Sequence, residues 1–243
     1  DTFGLTLSTM LAAADGEMLF DKASQDDVIK YYEDLMNQQK ERSRESSKMQ
    51  GDVFLNLGID ANMPKTKFLG YDQLEAKAKI LKVIAGDGKS IKIILDQTPF
   101  YAESGGQVGD TGELKTSTGR VKVSDTQKTA DIYIHSGEVV EGKISEGQDV
   151  QANVDHVRRQ AIMNNHTATH LLQAALREIL GKHVQQQGSL VDDERLRFDF
   201  THPKAISDDD LSKVEHLINQ LVREYYPLSK KVLAIEEAKK LGA

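Results

Sequence analysis

The stretch DVQANVDHVRRQAIMNNHTATHLLQAALREILG, residues 149–181, changes its period partway along. Val150, Ala152 and Val154 alternate with polar neighbours, the period of two expected of a strand with one buried face. Beyond Asp155 the apolar residues recur at three and four instead. That spacing places Leu172, Ala175, Leu176 and Ile179 on one stripe, and Gly181 offers a stop. One helix over 155–180 is predicted, directly after a strand. The chain therefore divides near residue 154 into a part built from strands and a part that packs a long helix.

Upstream, from about 68 to 154, the runs KILKVI, SIKIILD, RVKVSD, ADIYIH and DVQANVD are separated by AGDGK, KTSTG, SGEVVEG and SEGQ. Alternation in Val121/Val123 and Ile132/Ile134, with Gly-rich turns at short intervals, predicts a small antiparallel barrel or sandwich. Downstream, HVQQQGSLV and RLRFDF read as a hairpin turning at DDE, with Leu196, Phe198 and Phe200 on one face. Ser207 and the acids after it cap a further helix. Its stripe is Leu211, Val214, Ile218, Leu221, Val222 and Tyr225, and Pro227 stops it. KKVLAIEE offers one more strand. At the other end, 24–49 carries Val28, Tyr31, Tyr32, Leu35 and Met36 at helical spacing before the polar connector QQKERSRESSK. The fold class is α+β: an N-terminal helical segment over 1–50, a β-barrel domain over 51–154 and a two-layer α/β domain over 155–243.

Composition narrows the function classes. With 39% hydrophobic and 28% charged residues in 243, the chain can bury a core, and no apolar run approaches a membrane span. The first residues, DTFGLTLSTM, lack the basic start and apolar stretch of a signal peptide, so a cytoplasmic location is expected, with no membrane partner. A net charge of −7 argues against a general nucleic-acid binder and against DNA, while leaving room for a local basic groove. Zero cysteines exclude disulfides and thiolate ligands, so a metal here relies on His, Asp and Glu.

Two histidines in the long helix invite that reading. At ~100° per residue, His170 lies about 40° from His166 and Arg177 about 20°, whereas the apolar stripe lies at roughly 180° to 280°. The pair is off the core stripe. It is either part of a solvated polar face or a grip on one metal ion, since i, i+4 spacing brings both imidazoles to one side. HTATH is not the zinc-protease motif, because Thr167 stands where a general-base carboxylate is needed. Two imidazoles also leave a tetrahedral zinc short of ligands. A second unusual stretch, TPFYAESGGQVGDTG over 98–112, pairs the permissive Gly105, Gly106 and Gly109 with Glu103, Ser104 and Gln107. No Gly-Lys-Ser/Thr follows, so it is not a P-loop, and it reads as a barrel turn or a substrate loop.

TPFYAESGGQVGDTG, then NHTATHLLQAAL, then QQQGSLV and RLRFDF, in that order, resemble the editing region of the alanyl-tRNA synthetase family and its free-standing editing hydrolases. The resemblance covers about residues 65–243; DTFGL and the polar helix resemble, more loosely, the link from that family's tRNA-recognition helices. It implies hydrolysis of the ester joining serine or glycine to tRNA(Ala), a second sieve for amino acids that a synthetic pocket rejects poorly. His166 and His170 become two zinc ligands. Glu103, Ser104, Gly105, Gly106 and Gln107 form the substrate-facing loop, Gln186 and Ser189 line the amino-acid pocket, and Thr167 lies beside the metal. Thr167, Gln186 and Glu103 are the expected catalytic residues.

In the family the remaining ligands are a Cys and a His in a Cys-Gly-Gly-Thr-His segment further downstream. The expectation is a chain cut before that segment, with an incomplete zinc site. By the same resemblance the ATP- and Mg-dependent catalytic domain lies upstream of Asp1, and the fragment alone is inactive. Two other readings stand beside this one. A non-catalytic RNA-binding module would use Arg158, Arg159, Arg177 and Lys182 on tRNA phosphates. A complete hydrolase would draw its missing ligands from Asp199, His183 or His202.

Overall fold

The computed structural model of the protein describes residues 63–227 and 233–240, together with Lys30. The helix expected over 24–49 thus lies, Lys30 apart, outside the described residues. The elements in chain order are β1 (Lys67–Phe68), β2 (Glu75–Ala85), β3 (Ser90–Leu95), β4 (Gln97–Thr98), β5 (Gly112–Lys115), β6 (Gly119–Thr129), β7 (Ile132–Gly142) and β8 (Asp149–Val154). After these come α1 (His156–Leu180), β9 (Gln186–Val191), β10 (Leu196–Phe200), α2 (Asp208–Glu224) and α3 (Ile235–Lys240).

Six strands close an antiparallel barrel in the order β2-β3-β7-β6-β5-β8. The alternation seen in the sequence fills its interior: Ile91, Ile93, Val121, Val123, Val150, Ala152 and Val154 share one buried cluster with Ile80, Leu95, Phe100 and Leu114. Full burial of each such aliphatic side chain is worth about 1.5–3 kcal/mol. Ile132 and Ile134, also alternating, pack with Ile94 in a second cluster. β6 and β7 are joined at Ala130 and Asp131, both left-handed at φ 47° and 66°, the primed turn whose twist suits a tight hairpin.

SGEVVEG, expected as a turn, is strand: β7 runs to Gly142 and pairs with β3 on one side and β6 on the other. Gly137 is there because a Cβ would strike the Lys122 carbonyl, so the glycine marks close backbone approach instead of a bend. GELK within 112–115 is a strand as well, too short to show an alternation of its own.

β3 and β5 stand on opposite sides of the six-stranded ring, so the chain between them must cross one mouth of the barrel. That crossing is the Gly-rich stretch, and Phe100 within it is wholly buried in the barrel core.

Asp155 accepts from the Arg158 N–H as N-cap of α1, and Gly181 closes the helix at φ 117°. Ala175 and Leu176 are buried, joined by Leu172 and Ile179, against Val184, Phe198 and Phe200 of the antiparallel β9–β10 hairpin and Val214 of α2. The expected stripe of α2 is only partly used. Val214, Leu217 and Ile218 face α1, whereas Leu211, Val222 and Tyr225 are exposed at 47%, 58% and 92%. Among the described residues α2 packs chiefly on α1, so one narrow stripe suffices, and Tyr225 already lies past the helix in a left-handed cap at φ 52°. KKVLAIEE is corrected likewise: residues 230–232 lie outside the described residues, and Ile235–Lys240 is helix, as befits a run of strong helix formers. Among the described residues no helix is long and apolar enough to cross a membrane.

Two buried polar groups tie these layers together. Arg159 of α1 is 6% exposed and Asp110 only 1%. The guanidinium forks onto the Asp110 carboxylate and donates to the carbonyls of Gly70 (2.8 Å) and Pro99 (3.0 Å). His135, fully buried in β7, donates from Nδ1 to the Ile93 carbonyl (3.0 Å), because that oxygen only accepts. Its Nε2 therefore accepts from the Thr98 hydroxyl (2.7 Å), which itself accepts from the Phe100 N–H. The neutral ring satisfies every partner, and burial pushes its pKa down from 6.5 to about 4.

Two predictions follow from these groups. A depressed folded-state pKa means that the unfolded chain takes up the proton first. His135 therefore stabilises fully above pH 6.5, and that contribution, on the order of 3 kcal/mol, fades as pH falls toward 4. Urea unfolding across this range should show a shallower acid slope for His135→Asn than for the unaltered chain. Arg159→Met should lower stability by about 3–5 kcal/mol, since Asp110 is left buried and unpaired. Arg159→Met with Asp110→Leu should recover part of that in the same assay.

Candidate metal and substrate site

The site grows from the spacing of α1. Arg159 and His166 are seven residues apart, two turns, so they share a face with roughly 10 Å between them. In the crossing loop, Asp110 and Gln107 are three residues apart, also roughly 10 Å when extended. Loop and helix therefore run side by side: Arg159 meets Asp110, Arg158 donates to the Gly109 carbonyl at 2.9 Å, and His166 Nδ1 meets Gln107 Oε1 at 2.6 Å.

The other edge of the loop is held by β9. Val191 N–H donates to the Gly106 carbonyl (2.8 Å) and Val108 N–H to the Val191 carbonyl (3.1 Å). Gly106 is at φ 84°, and a Cβ there would collide with the Ser189 carbonyl oxygen. Asn165 of α1 completes the triangle by donating to the Asp192 carbonyl at 2.8 Å. Loop, helix and hairpin thus meet around Gln107, which is 7% exposed.

His166 and His170 are exposed on α1, their ring centroids 5.1 Å apart. An amide oxygen accepts only, so His166 carries its proton on Nδ1 and leaves the Nε2 lone pair available. Partial burial, then the neighbouring His170 ring, holds the His166 pKa below the usual imidazole range, keeping that lone pair at neutral pH. This donor set suits zinc: a neutral imidazole oriented by a hydrogen bond at its other nitrogen. Two ligands are half of a tetrahedral site, and among the described residues no three His, Cys, Asp or Glu gather closely enough to hold a metal.

Other expected site residues fall in different places. Ser189, partly buried, lies against Gly106. Thr167 is exposed beside His166 and spends its hydroxyl proton on the Met163 carbonyl. Gln186 is exposed at the start of β9, opposite Phe200. Glu103 is exposed and turned toward the barrel, its carboxylate accepting from Gln127 Nε2 at 2.6 Å.

Of the ligands proposed for a complete hydrolase, His183 and His202 face each other (Nε2 to Nδ1, 2.9 Å) and Asp199 pairs with Arg197 at 3.1 Å. They do not form a group with His166 and His170. Of the cations proposed to meet RNA, Arg159 is buried on Asp110 and Arg158 pairs with Asp193 at 2.9 Å, leaving Arg177 and Lys182 exposed. Asp110 and Asn165 escaped the sequence reading; the seven-residue interval from Arg159 to His166 was the signal that could have shown one helix face turned to the loop.

The family model of tRNA synthetases class II (A) matches residues 1–158, and the chain belongs to that family. Within it, the similar proteins are alanine–tRNA ligases. The chain is 43% identical along its whole length to that of Cereibacter sphaeroides, over 28% of the relative. Identity is 45% over 83% of the chain to that of Acetivibrio thermocellus, and 42% over 87% to that of Thermus thermophilus. The chain spans only about a quarter of these ligases' length, 24% to 28%.

The loop geometry predicts an order of damage in thermal unfolding. Gly106→Ala should cost more than about 3 kcal/mol, from φ strain and the Ser189 clash together. Gly105→Ala, at φ 61° with open space around it, should cost about 1–2 kcal/mol.

Proposed function

We propose that this chain is the editing portion of an alanine–tRNA ligase, hydrolysing the ester of serine or glycine mischarged onto tRNA(Ala) and sparing the alanyl ester. The observation that carries the reading is the His166–Gln107 contact, which joins a metal-competent imidazole on α1 to the Gly-rich loop and, through it, to β9. The parent ligase would use ATP and Mg in a domain outside this chain.

His166 and His170 would hold zinc, with the further ligands supplied from outside the described residues. When bound, zinc supplies a positive centre that polarises water or the ester carbonyl. The chain's own residues do the rest. Gln107 fixes the His166 tautomer, and the loop that carries it is closed on itself by the reciprocal backbone bonds of Ser104 and Gln107. Ser189 and Gln186 of β9 flank the place for the amino-acid side chain. A hydroxyl partner there would distinguish serine from alanine, since a hydrogen-bonding site rejects an analogue lacking the group. Thr167 can accept a hydrogen bond, its own proton being engaged, and Glu103 anchors the loop to β6 through Gln127. In the reaction water adds to the ester carbonyl, the bond to the ribose oxygen breaks, and the amino acid leaves free. The RNA-binding reading without catalysis is weakened by the two internal arginines.

Zinc content and seryl-tRNA(Ala) hydrolysis should be measured on this chain and on a longer one that includes the residues following the matched region in alanine–tRNA ligases. The longer chain should bind one zinc and hydrolyse the seryl ester. Gln107→Ala should weaken its zinc affinity about 10- to 100-fold, and His166→Ala should abolish activity. Hydrolysis that survives chelation, or stoichiometric zinc in the present chain, would overturn the proposal.

A further inference from the structure

One concavity of the barrel lies away from the histidines. It is a groove of about 1000 Å³ across the outer face of β2, β8 and β5, lined by Lys77, Lys79 and Lys115 with Gln97, Gln148 and Gln151 among its polar neighbours. Strand register explains the clustering. Gln151 of β8 lies opposite Lys77 on one side and opposite Lys115 on the other, so one cross-strand row reads Lys-Gln-Lys. Lys79 stands two residues along β2, on the same outward face.

None of the three lysines has an ion pair among the described residues, a property they share with exposed lysines such as Lys122, Lys128 and Lys143; what sets them apart is that they line one groove. Two acids line the groove, Asp96 and Asp149. Asp96 turns Oδ1 toward the backbone N–H groups of Lys79 (2.7 Å) and Gln97 (2.8 Å), so it is only partly available to the lysines. Three lysines against two acids, one of them Asp149 opposite Lys79, leave this concave polar strip locally positive in a chain of net charge −7, which offers complementarity to a polyanion.

We infer that this groove binds the phosphodiester backbone of RNA, a contact remote from the hydrolytic centre that holds the body of the tRNA while its charged end lies at His166. The inference rests on the reading that the chain acts on tRNA. β8 runs straight into α1, so the path from Gln151 to His166 is at most about 30 Å, a span that one RNA stem can bridge. Phosphate contacts of this kind position the substrate and carry no sequence information.

The test compares Lys77→Gln/Lys79→Gln/Lys115→Gln with Lys122→Gln/Lys128→Gln/Lys143→Gln, which removes equal charge from exposed lysines elsewhere on the barrel. Binding of uncharged tRNA(Ala) transcript is followed by fluorescence anisotropy from 50 to 200 mM salt, with thermal unfolding as a check on folding. The groove variant should bind at least about tenfold more weakly at the lowest salt, with a log–log salt slope shallower by about two to three. The control variant should match the unaltered chain. Equal weakening in both variants, no weakening in the groove variant, or no binding by the unaltered chain at 50 mM salt would each overturn the inference. In the zinc-loaded longer chain, the groove variant should raise KM for seryl-tRNA(Ala) and leave kcat in place. Absence of hydrolysis in every variant would count against the editing reading while the anisotropy result still decides the groove.

Discussion

The buried pair of Arg159 and Asp110 is the constraint around which this molecule is assembled. Removing two charges from water is costly unless geometry and hydrogen bonding are both complete. Here the guanidinium is satisfied by the carboxylate and by two carbonyls from different segments, and Asp110 Oδ2 also accepts from the Tyr101 N–H. The segment before β2, both ends of the crossing loop and the first turn of α1 therefore share one set of partners. A small shift of any of them would leave a charge or a carbonyl buried and unpaired, so their relative positions are fixed sharply. The barrel becomes the rigid base on which α1 is aimed.

From that aim the rest of the site follows. With Arg159 directed into the barrel mouth, two further helical turns bring His166 level with Gln107, and β9 closes the loop from the opposite edge. The loop is thus held by strand-like pairing on one side and by side chains of α1 on the other. Its own glycines permit the close approach that ordinary residues would block, most plainly at Gly106. The histidines themselves remain exposed on α1. Three lysines without an ion pair among the described residues, Lys77, Lys79 and Lys115, share one groove on the outer face of the barrel.

Sequence alone determined the barrel interior, the long helix with its stop, the hairpin, and the placing of His166 and His170 off the core stripe. These are consequences of period: side chains alternate along a strand and return every 3.6 residues on a helix whatever they later touch. The paired register decided what period could not. SGEVVEG became strand because β7 is bonded on both sides, and Gly137 serves close approach instead of a turn. Arg158 and Arg159, which in the sequence look like cations for a phosphate, turned inward. Likewise His183 and His202 met each other and not the helix pair. The partner of a charged or titratable side chain is set by contact across long stretches of chain, 49 residues between Asp110 and Arg159 and 59 between Gln107 and His166. Periodicity is written locally, but such partnerships exist only once the layers have packed.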